Sequence, residues 1–285
     1  LRCVEAANRR PDREAAGAPA GAGAVHPAEA PAARPAPPTP APAAGVAAPP
    51  EAMAEAVAPG PVRQVIARRM VESWTTIPHA WTMVEADVTS LVALREQVRE
   101  AFQQREGFEL TYLPFAIKAV VDALQEHPDL NASWGPEGRI VRYRHVNISV
   151  AVGLDEALMV PVIREAERLS VTGIARALHD LVRRAKQGRL TADDTGGGTF
   201  TVNNTGALGS VLSAPIINPP QGAILTTEAI QRRLVVLKDD QLAIRSIMNL
   251  CLSFDHRIVD GVQALRFLNA VKRRLEAFGP GVPLA

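Results

Sequence analysis

Six histidines are the first candidates for chemistry in this chain, because an unperturbed imidazole titrates near pH 6.5 and can exchange a proton at neutral pH. His26 lies in an Ala/Pro-rich stretch, His127 and His179 fall at or on expected helices, and His145 precedes an expected strand. All four read as surface residues. His79 follows Ile77-Pro78 at a helix-to-strand corner, where a structural hydrogen bond accounts for it. His256 differs. It sits in Leu252-Ser253-Phe254-Asp255-His256-Arg257-Ile258-Val259-Asp260-Gly261, where a long strand is expected to end and a helix to begin. A strand end is a rigid mount with one open side, which suits a general base. Asp260 falls at the helix start, where a carboxylate satisfies exposed amides and meets the positive end of the dipole. Gly261 admits a close backbone approach or an unusual φ. Spacing alone favours a helix cap beside an incidental histidine.

Other chemistries find less support. Cys3 and Cys251 are far apart and give neither a disulfide framework nor metal-ligand spacing, which fits a reducing compartment. No metal is expected. A net charge of +1 argues against a general polyanion binder. The local patch Arg183-Arg184-Ala185-Lys186 reads as a solvated helix face, or as a surface meeting the phosphates of a nucleotide-bearing cofactor. No apolar run reaches the ~18 residues needed to cross a bilayer, and no signal-peptide pattern opens the chain. A soluble, cytoplasmic protein is expected. The start at Leu1 rather than Met suggests a fragment or a processed product.

The elements that position His256 occupy the later four-fifths of the chain. From Pro11 to Gly60, 32 of 50 residues are Ala or Pro, so residues 1–60 read as an extended, semi-stiff tether. After Pro61 a helix is expected over Val62–Thr76, ending at Ile77-Pro78, then a strand over His79–Val88. Thr89 is expected to cap a helix to about Arg105, and Tyr112–Glu126 to form a second. Val146–Val152 and Ala157–Ile163 read as strands, and Ser170–Lys186 as a helix. Short strands follow the break at Gly196-Gly197-Gly198, around Thr199–Val202 and Ala223–Thr226. Ile230–Leu237 and Ile244–Phe254 form an expected hairpin turning at Asp239-Asp240, and Gly261–Phe278 is the last helix. Without a regular βαβ rhythm, the expected class is α+β: a two-layer sandwich of one mixed sheet with helices on one face.

The H-x-x-x-D-G pattern of His256, Asp260 and Gly261 resembles the active-site signature of the chloramphenicol-acetyltransferase-like acyltransferases. Its context narrows the resemblance. Ile77-Pro78-His79, Asp87-Val88-Thr89, His127-Pro128-Asp129-Leu130-Asn131-Ala132-Ser133, Val160-Pro161-Val162-Ile163, Gly198-Thr199-Phe200-Thr201 and Pro215-Ile216-Ile217-Asn218 occur in order. Together they resemble the catalytic domain of the dihydrolipoamide acyltransferases of 2-oxo acid dehydrogenase complexes, over residues 61–285.

The resemblance implies acyl transfer between dihydrolipoamide and coenzyme A. His256 would be the general base that takes the thiol proton. Asp260 would fix local structure by pairing with an arginine, with Arg68, Arg69 and Arg257 as candidates. The family's oxyanion donor is a serine after Gly-Thr-Phe-Thr, and here Asn203 occupies its place, with Thr205 as the second candidate. Glu156-Ala157-Leu158 departs from the family's usual glycine before the leucine. Coenzyme A is implied as a substrate, and lipoamide as carried on a lipoyl domain not present in residues 1–60, which contain no lysine. Implied partners are two further copies in a homotrimer that builds a core of 24 or 60 chains. The 2-oxo acid dehydrogenase component and dihydrolipoamide dehydrogenase are implied as well. A free-standing small-molecule acetyltransferase fits the tether poorly, and a non-catalytic scaffold fits the intact His256 and Asp260 poorly. Limited proteolysis is expected to trim residues 1–60 and leave a stable core beginning near Pro61. A tail as resistant as the core would contradict the tether.

Overall fold

A computed structural model describes residues 55–153, 158–237 and 240–284, so most of the expected tether lies outside the described residues. Residues 55–60 carry no helix or strand, and one compact unit spans Val57–Ala285. Helix α1 (Pro61–Thr76) begins on a proline, whose missing N–H costs nothing in a first turn, and stops at the extended Ile77. Strand β1 (His79–Asp87) follows. Helix α2 (Thr89–Glu106) corrects one expectation: Thr89 lies inside the helix rather than capping it. The Asp87 carboxylate instead accepts from the Thr89 backbone N–H and hydroxyl, a local bond that a sequence pattern cannot rank against a Thr cap. Helix α3 (Leu113–Glu126) is buried over most of its length and ends ahead of Pro128, as expected.

The two middle strands are each broken in two. Strands β4 (Ile148–Val150) and β7 (Val162–Ile163) enter the main sheet, while β5 (Val152–Gly153) and β6 (Leu158–Met159) form a separate small pair. Pro161 marks one break: it has no N–H for a ladder, and its carbonyl accepts from Val150. A hairpin of β2 (Ala132–Trp134) and β3 (Ile140–Arg142), too short to show a period, was not expected. Helix α4 (Val171–Lys186) is capped by the Ser170 hydroxyl, and a single turn, α5, covers Ala192–Thr195. Strands β8 (Phe200–Asn204), β9 (Ala223–Thr227), β10 (Gln231–Val236) and β11 (Leu242–Asp255) precede helix α6 (Gly261–Ala277).

The main sheet runs β1-β11-β9-β8-β4-β7, with β10 pairing the first half of β11. β8 is parallel to β4 and to β9, and the other pairs are antiparallel, so the sheet is mixed. One face meets the helices in a single apolar core that includes Leu94, Phe115, Ile174, Phe267, Leu250 and Phe254. The other face carries a small apolar cluster, Ile77, Ile217 and Ile224, beside a row of buried polar side chains that includes Ser149, Thr201, Thr226 and Ser253. The segment from Gly209 to Gly222 lies against this face. Ile217 anchors it, accepting from the Ser73 hydroxyl at 2.6 Å and donating to His79 Nε2 at 3.1 Å.

Gln221 closes the network: its amide N–H donates to Ser149 Oγ at 2.9 Å and its carbonyl accepts from Thr201. Gly198 sits directly on it, and a Cβ there would fall 1.9 Å from Ser149 Oγ. Gly198→Ala is therefore expected to lower stability by ~1–3 kcal/mol, measured by denaturant unfolding. Ser149→Ala in the same chain should recover only part, because the Ser149 Cβ would still lie 3.2 Å away. An unchanged midpoint for Gly198→Ala would show that the network is looser than it is drawn.

Candidate active site

His256 follows β11 directly, and its mount is rigid. The Asp255 backbone N–H donates to Gly222 O at 2.8 Å, and the His256 N–H donates to Pro78 O at 3.1 Å. Asp255, 1% exposed, accepts from Arg257 Nε at 2.9 Å and Nη2 at 2.7 Å. The same guanidinium lies 5.0 Å over the Trp134 ring. A bidentate, stacked arginine of this kind holds one rotamer. The clamp therefore fixes both neighbours of His256, while His256 itself is exposed beside Phe254. Its ring makes no hydrogen bond among the described residues, which leaves both nitrogens free to meet a substrate.

Asp260 does not pair with an arginine among the described residues, which corrects that expectation. It is the N-cap of α6: its Oδ1 accepts from Gln263 N–H at 2.8 Å, and Gln263 Oε1 accepts from Asp260 N–H at 3.0 Å. This reciprocal capping box engages one carboxylate oxygen of Asp260 with the first turn of α6. Arg257 is taken by Asp255, and Arg68 and Arg69 are exposed on α1. Gly261 is an ordinary first helical residue: a Cβ there would meet nothing within 4 Å in this chain, so neither close approach nor unusual φ explains it.

Asn203 and Thr205 come together at the other end of the sheet. Phe200 and Val202 of β8 enter the apolar core, so alternation puts Asn203 on the opposite, polar face. It is half-buried, and its side chain has no hydrogen-bond partner among the described residues. The neighbouring Asn204 is consumed locally, accepting from Ala207 N–H at 3.1 Å. Thr205 donates its hydroxyl to Glu228 Oε2 at 2.8 Å.

The two groups do not meet in one chain. Asn203 pairs with Thr226, Thr226 pairs with Cys251, and His256 lies five residues beyond Cys251. At about 3.3 Å per residue and 4.8 Å between strands, Asn203 and His256 are about 19 Å apart at Cα. Neither side chain spans that gap.

Four of the remaining histidines take structural places, and His26 lies outside the described residues. His79 bridges Ile77 O at 2.8 Å and the Ile217 N–H, His145 contacts Glu167 at 2.9 Å, and His179 stacks on Phe108 at 4.2 Å. His127 is half-buried, and loss of hydration holds its pKa below the usual histidine value. Sequence reasoning passed over Asp255, Arg257 as its partner, Gln221 and Glu228. A carboxylate directly after an apolar strand, as in Ile224-Leu225-Thr226-Thr227-Glu228, is the signal that could have found Glu228.

A family model described as the 2-oxoacid dehydrogenases acyltransferase catalytic domain matches residues 51–280. The chain belongs to this family. This chain is 49% identical over 216 residues to the lipoamide acyltransferase component of the branched-chain alpha-keto acid dehydrogenase complex of Bacillus subtilis, covering 76% of this chain and 51% of that one. It is 42% identical over 216 residues to the dihydrolipoyllysine-residue succinyltransferase component of the 2-oxoglutarate dehydrogenase complex of Bartonella vinsonii subsp. berkhoffii, covering 75% and 52%. The chain thus spans about half the length of the curated relatives it matches. A crystal structure of a probable dihydrolipoamide acetyltransferase from Listeria monocytogenes is 46% identical with a TM-score of 0.79, covering 82% of this chain and all of that one.

Because Asp260 acts as a cap in this chain, Asp260→Ala is expected to lower stability by about 1 kcal/mol, while Asp260→Asn leaves it nearly unchanged. Denaturant unfolding distinguishes them. Equal loss in both would mean that the charge matters rather than the capping oxygen.

Proposed function

We propose that residues 61–285 form a catalytic domain that transfers an acyl group between dihydrolipoamide and coenzyme A, acting in the cytoplasm as the core of a 2-oxo acid dehydrogenase complex. Residues 1–60 would link it to further domains, among them the one that carries lipoamide. The observation that carries the reading is an exposed, unbonded His256 on a clamped strand end, in a chain of this family.

His256 takes the proton from the thiol of coenzyme A as the thiolate attacks the carbonyl carbon of the acyl-dihydrolipoamide thioester. A carbon–sulfur bond forms, and the carbonyl oxygen becomes an oxyanion. Asn203 donates a carboxamide N–H to that oxyanion. The intermediate then collapses, the bond to the dihydrolipoamide sulfur breaks, and the departing thiolate receives the proton held by His256. The reverse reaction uses the same groups with the thiols exchanged.

The separation of about 19 Å supports a second copy as part of the site, since His256 of one chain can act with Asn203 of a neighbour only across an interface. A trimer satisfies this at three equivalent places, and larger cores follow by adding trimers. Exposed apolar pairs on the β10–β11 hairpin, Leu234 opposite Ile244 and Val236 opposite Leu242, give the chain surface that another copy could cover.

His256→Ala should lower kcat by at least about 100-fold, and Asn203→Ala by ~10²–10³-fold, with assembly intact. Co-refolding the two variants tests the shared site. Mixed trimers from equal amounts should restore about a quarter of the sites, since one chain supplies an intact His256 and the next an intact Asn203. Complete inactivity of the mixture would put both residues in a site within one chain. A normal rate for His256→Ala would remove it as the base.

A further inference from the structure

Glu228 is a buried carboxylate that the transfer chemistry leaves unused. It is 2% exposed and makes no ion pair among the described residues. Instead it collects hydroxyl groups: Oε1 accepts from Ser213 at 2.6 Å and Thr226 at 2.8 Å, and Oε2 accepts from Thr205 at 2.8 Å. Burial pushes its pKa up, but the hydroxyl donors around it outweigh this and hold it below the ordinary carboxylate value. An ionised carboxylate only accepts, so it turns all three hydroxyl hydrogens the same way. A carboxamide there would carry two donors and would force one hydroxyl to turn away.

Two further contacts tie Glu228 to the turn after β8. Gly206 is packed on its backbone so closely that a Cβ would lie 2.2 Å from the Glu228 carbonyl carbon and 2.4 Å from Ala229 N. Ala229 N–H donates to Ser210 O at 2.8 Å. Both arms of the turn are therefore attached here, Thr205 and Ser213 at the Glu228 carboxylate and Ser210 at the adjacent Ala229. Beside this attachment, Asn204, Gly206 and Ala207 face a cavity of about 420 Å³ that Glu228 also lines and whose wall includes Tyr112, Leu113 and Ala116. Without the carboxylate the turn would have space to move into.

We propose that Glu228 is a positioning residue for acyl transfer: it clamps the turn after β8 and occupies the Thr205 hydroxyl, so that Asn203 presents the free donor to the oxyanion. A hydroxyl has one hydrogen, and that of Thr205 is committed to Glu228. The Asn203 carboxamide has two N–H hydrogens, neither engaged among the described residues. The proposal rests on the reading of Asn203 above, and the experiment separates the two.

The test is steady-state kinetics on the full chain with coenzyme A and acetyl-dihydrolipoamide, using Asn203→Ala, Glu228→Gln and their combination. Asn203→Ala alone tests the underlying reading, because a normal rate there would overturn it before Glu228 is touched. With that variant slow, Glu228→Gln is expected to lower kcat by about 10–100-fold with KM within about two-fold. Added to Asn203→Ala it should cost less than about three-fold more, because it acts through the residue already removed. A normal kcat for Glu228→Gln, or losses that multiply in the combination, would overturn the positioning role. If Glu228→Gln fails to assemble, Thr205→Val breaks only the bond to the turn. It should lower kcat several-fold and be equally silent in the Asn203→Ala background. A Thr205→Val enzyme of normal rate, or one whose loss multiplies with Asn203→Ala, would overturn the proposal in the same way.

Discussion

Leu250, Leu252 and Phe254 of β11 enter the apolar core, while Cys251, Ser253 and Asp255 point to the opposite face. Side chains alternate with a period of two, so a slip of one residue would drive Asp255 into the core and expel Phe254. That outcome is costly enough to lock the register of β11 against both β1 and β9. The rest of the site inherits this register. It sets where β11 ends and so where His256 stands. Through Thr226 it also sets the level at which Asn203 stands on β8. β11 runs antiparallel to β9, and β9 parallel to β8, so the two positions fall at opposite ends of the sheet. The proposed division of the site between copies follows from strand direction, before any side chain is considered.

The polar face of the sheet is the second constraint. Ser149, Thr201, Thr226 and Glu228 are all 3% exposed or less. Burying such groups unpaired would cost about 1–3 kcal/mol each, so the covering segment brings partners with it: Ser213 and Gln221 from the loop, and Ile217 as an apolar anchor. Close packing then dictates the glycines. Gly198 and Gly206 lie where any Cβ would strike Ser149 or the Glu228 backbone. Part of the Gly-Thr-Phe-Thr motif is thus a packing requirement. Its first residue makes room for the network that holds the strand on which Asn203 is displayed.

Most of the helices and the long strands were legible because each has a long period and clear ends. Val62–Thr76 and Tyr112–Glu126 stop at prolines, and Ser170 supplies a cap that the structure uses. Short elements were not legible: β2 and β3 have three residues each, too few to show alternation. One cap was misplaced for a different reason: Asp87 displaced Thr89, because competition among nearby polar groups is decided by geometry within one turn. Asp260 was legible at a helix start, and it caps α6 there. His256 was singled out by its place in a motif, and its role as the base is a proposal. Glu228 was not singled out, because its partners Thr205, Ser213 and Thr226 are brought together only by the crossing of β8, β9 and the covering loop.

A site shared between copies also links assembly to chemistry. If the base and the oxyanion donor come from different chains, the isolated chain has each group but no place where both reach one carbonyl. Activity then depends on whatever stabilises the interface, in the same way that any binding equilibrium stabilises the state it favours. The exposed apolar pairs of the β10–β11 hairpin lie on the first half of the strand whose far end carries His256. One strand therefore joins a surface that another copy can cover to the proposed base. Displacing that hairpin would shift β11 along its axis. The clamp of Asp255 on Arg257 and Trp134 resists such a shift at the other end. In this arrangement a loosened interface would be felt first in the alignment of His256 with the neighbouring chain's donor, and only later in the fold of either chain.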